Sequence, residues 1–123
     1  MCFNNKVVWI TGASSGIGEA LAYEFAQQGA RLVLSARRAD VLEQVKAKCK
    51  NASQHLVLPM DMTDSSRFAE LVLQVESHFG AVDILINNAG VSQRALVKDT
   101  ILSVDRALLE VDYFGPVALT KTL

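Results

Sequence analysis

Residues 11–18 read Thr-Gly-Ala-Ser-Ser-Gly-Ile-Gly, directly after the apolar run Val7–Ile10 and directly before a segment of helical period. Gly12, Gly16 and Gly18 carry no Cβ, so the main chain there can turn sharply and approach a ligand closely. The first amides of the helix that follows have no partner within it and sit at the positive end of its dipole, which favours a phosphate. A diphosphate suits this loop. Ser14 and Ser15 can add hydroxyl hydrogen bonds, Ile17 belongs to the same cofactor-binding turn, and Gly18 lets the helix lie close to the sheet. No Lys-Ser or Lys-Thr follows the glycines, which excludes a Walker loop. A glycine turn that holds nothing is the alternative, and the strand and helix on either side argue against it.

A second set of residues speaks to which dinucleotide would bind. Folds that take NAD place Asp or Glu about 20 residues past the glycines, to bond the ribose 2′-hydroxyl. Here that region reads Ser35-Ala36-Arg37-Arg38. The acid is missing and two guanidiniums stand in its place, which suits a 2′-phosphate, each charge-assisted bond contributing about 1.5–3 kcal/mol. NADP is therefore expected rather than NAD. One of the two arginines, Arg38 before Arg37, could instead be a solvated residue at the strand's end.

These loops need elements to hold them. Short apolar runs at Val7–Ile10, Arg31–Ser35, His55–Leu58 and Ile84–Ile86 alternate with longer segments of helical period, the pattern of βαβ units and a parallel sheet. Each run lacks polar alternation, as strands covered on both faces do. Ile17, Leu21 and Phe25 are expected to form the inner face of a first helix that Gly29 ends. Val41, Leu42, Val45 and Cys49 do the same for a second. Phe68, Leu71, Val72, Val75 and Phe79 do so for a third, with Asp64 as N-cap and Gly80 as stop. A fourth is expected to start near Thr100 or Ser103 and run to Leu123. Right-handed crossovers then predict a Rossmann-type α/β fold with strand order 3-2-1-4. The switch in direction opens a crevice beyond the carboxyl ends of strands 1 and 4, where ligands of such sheets bind.

The 123 residues are half hydrophobic, with mean hydropathy +0.24, enough for one domain with a real core. The formal net charge is −1 and no run of like charges occurs, so no nucleic acid or anionic membrane surface is expected as partner. No uncharged apolar stretch approaches the ~20 residues of a membrane span, and the start lacks a signal peptide's apolar segment, so a cytoplasmic chain is expected. Cys2 and Cys49 belong to no CxxC and have no histidine at ligand spacing, so neither a disulfide nor a metal is expected, and Cys49 reads as a buried small hydrophobe.

With TGASSGIG at 11–18, Asp61 after the third strand and Asn87-Asn88-Ala89-Gly90 after the fourth, the chain resembles the short-chain dehydrogenase/reductase family. From Val91 to Lys121 it is similar to that family's dehydrogenase/reductase member 7-like branch. The resemblance covers essentially the whole chain. It implies that Asp61 accepts a hydrogen bond from the adenine amino group, that Met62 lines the same pocket, and that Asn88, Ala89 and Gly90 pass along the nicotinamide ribose. Asp83 is expected to be structural, and His55 and His78 to be surface or strand-edge residues. Where the family has an active-site Asn, this chain has Asp112. Pro116, lacking an N–H, would leave the main-chain carbonyl of residue 112 without its helical partner, and the family uses that carbonyl to hold a water.

The resemblance also implies a catalytic Ser and a Tyr-x-x-x-Lys beyond the fourth long helix, past Leu123, since neither Tyr23 nor Tyr113 begins such a motif. No catalytic residue is therefore assigned. Residues 1–123 read as one dinucleotide-binding domain, incomplete at its carboxyl end, with the sheet stopping before a fifth strand and strand 4 presenting an apolar edge. The implied function is the NADP-binding part of an enzyme that interconverts an alcohol and a carbonyl, with a small alcohol or carbonyl compound as substrate and a homo-oligomer possible through the fourth helix. The alternatives are a non-catalytic NADP-binding truncated isoform or fragment, and an unstable product with no function. Ser92, Gln93 and Arg94 hint only at one edge of a substrate pocket.

Overall fold

The computed structural model describes residues 3–89 and 115–123. Strands β1 (Val7–Thr11), β2 (Arg31–Ser35), β3 (Leu56–Val57) and β4 (Ile84–Ile86) alternate with helices α1 (Gly16–Gln27), α2 (Ala39–Lys48) and α3 (Phe68–Phe79), and α4 (Gly115–Thr122) comes last. All pairings are parallel and the strand order is β3-β2-β1-β4. Val8 faces Leu32 on one side and Ile84 on the other, which places β1 at the centre with its carboxyl end beside those of β2 and β4.

The two-residue period of a strand divides each apolar run between two cores. Val8, Ile10, Leu32 and Leu34 pack with Ala22 and Ala26 of α1 and with Leu42 and Val45 of α2. Val7, Trp9 and Val33 turn the other way, onto Phe68, Leu71, Val72 and Val75 of α3 and Leu119 of α4. Covered on both faces, the central strands cannot alternate apolar with polar residues, hence their unbroken hydrophobic runs.

The helix ends follow the sequence signals. Gly29 takes φ 89° after α1, with its N–H on the Ala26 carbonyl and that of Ala30 on the Phe25 carbonyl, a Schellman motif. Gly80 ends α3 at φ 83°. Asp64 departs from expectation: it precedes a 3₁₀ turn, Ser65–Arg67, without a side-chain capping bond, and Arg67 rather than Asp64 holds the N-cap position of α3.

Three further expectations are corrected. The buried residues of α1 are Gly18, Ala22 and Ala26, one position along from the expected face, while Ile17 is 72% exposed and Leu21 and Phe25 only edge the core. Both rows repeat every four residues, and the smaller side chains win because they let the helix approach β1 and β2 more closely. Val41 is half-buried and lines the crevice above the sheet rather than joining Leu42 and Val45 inside. β3 is two residues long, and His55 is neither on the surface nor at an open edge: it is 3% exposed. Its Nδ1 accepts the Leu32 N–H at 3.1 Å and its Nε2 lies 2.8 Å from the Lys50 carbonyl oxygen. The imidazole thus satisfies an amide of β2 beside the short β3, in the tautomer that carries its proton on Nε2.

Beyond β3 the chain still follows β2, with the Leu58 N–H on the Leu34 carbonyl and the Met60 N–H on the Ala36 carbonyl. Asp83 ties β4 to β1, its Oδ2 accepting the Val7 N–H at 2.8 Å while its own N–H bonds the Val7 carbonyl. His78 is exposed, and Cys49 is buried, its thiol pushed up to about 11 by that burial. The expected start of the fourth helix, the Ser92–Arg94 edge, Asp112 and Cys2 lie outside the described residues.

Candidate functional site

The site lies where β1, β2 and β4 end side by side. Gly12 leaves β1 at φ 65°, and a Cβ there would stand 2.9 Å from both the N and the Cα of Ala89. Gly16 opens α1 at φ 58° with nothing within 4 Å of a Cβ, so its left-handed backbone, rather than crowding, calls for glycine. At Gly18 the space itself is taken. A Cβ would overlap the Gly12 carbonyl oxygen and come within 2.6 Å of the Asn88 side-chain nitrogen. Gly18 thus lets α1 fit under its own loop, a closer constraint than helix against sheet. Ser15 holds the N-cap position of α1 with no bond from its side chain to the helix, which leaves the hydroxyl for another partner.

Beneath the loop, Thr11 is the junction. Its Oγ1 accepts the N–H groups of Asn88 and Ala89, each at 3.0 Å, and donates to the Ile86 carbonyl at 3.3 Å. The Asn88 amide donates to the Gly12 carbonyl at 3.2 Å. One buried hydroxyl and one carboxamide therefore lock the segment after β4 to the glycine turn. On the other side the Ala13 N–H reaches the Ser35 carbonyl at 3.1 Å, and the Trp9 indole N–H donates to Ser35 Oγ at 2.8 Å. Sequence reasoning missed Thr11: a lone Thr ending a buried strand carries no signal without the fold around it.

Above this frame is a crevice of about 490 Å³. Gly12, Ser14 and Ser15 line it, with Asn88 and Ala89. Arg37, Arg38, Asp61 and Met62 line it as well, so four separate stretches of sequence meet at one crevice. Gly16, Ile17 and Gly18 belong to the adjoining helix start rather than to the wall, and Gly90 lies outside the described residues. Ala36, Val41, Met60 and Thr63 line the crevice too. Val41 was hidden by its helical spacing with core residues. Thr63 could have been found from Asp-x-Thr, a pattern that closes a side-chain turn.

Asp61 Oδ1 accepts both the N–H and the hydroxyl of Thr63, at 2.9 and 2.7 Å. Those bonds hold its carboxyl below the usual carboxylate range, with Arg37 adding to the effect, so Asp61 is an anion whose Oδ2 remains an acceptor. Arg37 makes no ion pair among the described residues. Arg38 does: its guanidinium forks onto Asp40, Nη2 to Oδ2 at 2.8 Å and Nε to Oδ1 at 3.3 Å. Tyr23 donates to Glu19 Oε2 at 2.6 Å, a bond that with burial and the carboxylate's charge pushes its phenol up to about 12. That is the wrong direction for a tyrosine that must give up its proton near neutral pH. No cluster of metal-binding side chains occurs among the described residues, and none of the helices described is long and apolar enough to cross a membrane.

Amides at a helix start, a guanidinium without an ion-pair partner among the described residues and an acidic acceptor around one crevice are groups that can hold phosphates and a nucleotide base. Residues 6–123 match the short chain dehydrogenase family. The chain is 52% identical to human dehydrogenase/reductase SDR family member 7 over 122 residues, which is 95% of this chain and 36% of that protein. It is 47% identical to a Drosophila melanogaster dehydrogenase/reductase SDR family protein 7-like chain, over 96% of this chain and 38% of that one. It thus spans less than two-fifths of the length of these relatives. Among solved structures, a short-chain dehydrogenase from Streptomyces avermitilis superposes with TM-score 0.89 at 35% identity, over 96% of this chain and 43% of its own. A metagenomic short-chain oxidoreductase, solved in complex with NADP, superposes with TM-score 0.89 at 29% identity, over all of this chain and 57% of its own.

Proposed function

The chain belongs to the short-chain dehydrogenase family, and from that premise we propose that it is the NADP(H)-binding part of an oxidoreductase interconverting an alcohol and a carbonyl. The observation that carries this reading is Arg37, a cation with no ion-pair partner among the described residues, lining the crevice just after β2, where an NAD-binding chain would carry an acid.

Each residue has a task in this reading. The amides that open α1, with the Ser14 and Ser15 hydroxyls, hold the pyrophosphate. Gly16 and Gly18 give those amides their direction, and Ile17 covers the adjoining helix turn. Arg37 and Arg38 recognise the 2′-phosphate, Asp61 accepts from the adenine amino group, and Met62 packs beside it. Asn88, Ala89 and Gly90 support the nicotinamide ribose, the first two held in register through Thr11. The bound nicotinamide supplies or accepts the hydride, and the substrate is a small alcohol or carbonyl compound. The share of the described residues in the reaction is to bind and orient the coenzyme; Tyr23, bonded to Glu19, does not line the crevice.

Titration with NADPH and NADH, followed by coenzyme fluorescence, tests the proposal. The chain should prefer NADPH. Arg37→Ala should weaken NADPH about ten- to hundredfold, the value of one guanidinium–phosphate contact, and leave NADH unchanged. Equal losses for the two coenzymes would refute the 2′-phosphate assignment.

A further inference from the structure

The two arginines at the end of β2 are adjacent in sequence, yet they are not in the same state. Arg37 lines the crevice without an ion-pair partner among the described residues, and Arg38 lines it with its fork already filled by Asp40. Arg38 precedes α2 and Asp40 is the second residue of that helix, so the bond joins the end of the β2 loop to the first helical turn. Asp40 itself does not line the crevice. The pair is well exposed, with side-chain accessibilities of 73% and 60%. In water such a carboxylate holds an arginine only weakly. A phosphate dianion offers the same fork more charge and is the stronger partner.

We propose that Asp40 is a specificity-determining residue that moderates the affinity for the 2′-phosphorylated coenzyme by competing for Arg38. The inference rests on the NADP reading above. In the free chain Arg38 is held by the carboxylate. As the coenzyme enters, Arg37 meets the 2′-phosphate directly, and Arg38 must exchange Asp40 for it. Part of the second arginine's attraction is used to break the existing bond, and the displaced carboxylate stays close to the phosphate. The other charged residue lining the crevice is Asp61, which feels the charge of Arg37 and is held by Thr63. Asp40 therefore lowers NADPH affinity without touching the coenzyme and has no effect on NADH, which brings no phosphate to the exchange.

Asp40→Asn keeps the size of the side chain and its place near the helix start while removing the charge. NADPH and NADH affinities are measured by coenzyme fluorescence for the wild type, D40N, R38A and the double variant, with the melting temperature of each recorded. D40N should bind NADPH about two- to fivefold more tightly, the range set by an exposed ion pair, with NADH unchanged. In the R38A background the same substitution should lose more than half of that gain, because no guanidinium remains to be released. An unchanged or weaker NADPH affinity in D40N overturns the proposal. So does an equal gain for both coenzymes, or a gain that survives largely intact without Arg38. Should D40N fail to fold, Asp40→Ser makes the same test. A wild-type chain that binds NADH as tightly as NADPH, or neither, overturns the NADP reading and this inference with it, an outcome distinct from a failure confined to D40N.

Discussion

Gly18→Ala sets two known effects against each other. In an unobstructed helix, glycine to alanine stabilises by about 1 kcal/mol, because alanine loses less backbone freedom on folding. At residue 18 the new methyl would overlap the Gly12 carbonyl oxygen and stand 2.6 Å from the Asn88 Nδ2. Neither neighbour can give way cheaply. The carbonyl is main chain in a turn whose φ is 65°, and the carboxamide is tied to that same carbonyl at 3.2 Å. Overpacking of this kind costs about 1–3 kcal/mol, and loss of the Asn88 bond adds about 0.5–1.5 kcal/mol. Crowding therefore outweighs propensity, leaving a net loss of about 1–3 kcal/mol. For a chain of this length that lowers the melting temperature by roughly 5–15 °C. The assay is thermal unfolding followed by the emission of Trp9, the one tryptophan in the sequence. NADPH affinity should fall at least tenfold in parallel, since relief of the clash must displace the amides proposed to hold the pyrophosphate. Gly16→Ala is the comparison: nothing crowds it, so only its left-handed φ of 58° opposes the change, by about 1–2 kcal/mol. A melting temperature for Gly18→Ala equal to or above that of the wild type would refute the argument from space.

Thr11→Val keeps shape but leaves the Asn88 and Ala89 amides without their acceptor, so it should destabilise by about 1–3 kcal/mol and weaken coenzyme binding, with Thr11→Ser restoring both. Urea unfolding with coenzyme titration checks this, and a Val variant that matches the wild type refutes it. His55 should give stability a dependence on pH. Burial lowers its pKa in the folded chain below the ordinary 6.5, so the unfolded chain takes up the proton first. The contribution of the neutral imidazole is then complete above about pH 6.5 and is lost as pH falls toward the folded value. Urea midpoints measured from pH 7.5 to 5 should decline accordingly. His55→Phe, which strands the Leu32 N–H, should be less stable at pH 7.5 and show a flatter decline, and an equally steep decline in that variant would rule the histidine out.

How much could be read from the residues alone depended on whether the signal was local. The order of the strands, the Schellman end of α1 at Gly29, the stop at Gly80 and the inner face of α3 all follow from spacing and from what glycine and β-branched residues permit. That the glycine turn and Arg37–Arg38 meet was legible for a related reason, since parallel strands of known order must bring their carboxyl ends together, whereas Asp61–Met62 and Asn88–Ala89 were singled out by the family resemblance. Where two local patterns were equally good, the choice was not visible. Rows 17-21-25 and 18-22-26 of α1 have the same period, and close approach to the sheet selects the smaller one. His55 looked like a strand-edge residue because its partner, an amide on β2 left free by a short β3, is 23 positions away.

What the residues settle without help is the chemistry on offer and its sequence of supports: a loop stripped of side chains, two cations where an acid would serve NAD, and strands that must be covered on both faces. Packing alone assigns the work among them. It makes Thr11 the link between two loops, Gly18 intolerant of a single methyl, and Arg38 a partner of Asp40 while Arg37 stands open to the crevice. The reason is physical: propensity and charge belong to one residue and its neighbours, whereas a shared hydrogen bond or a clash depends on distances between segments far apart in the chain, and those exist only once it has folded.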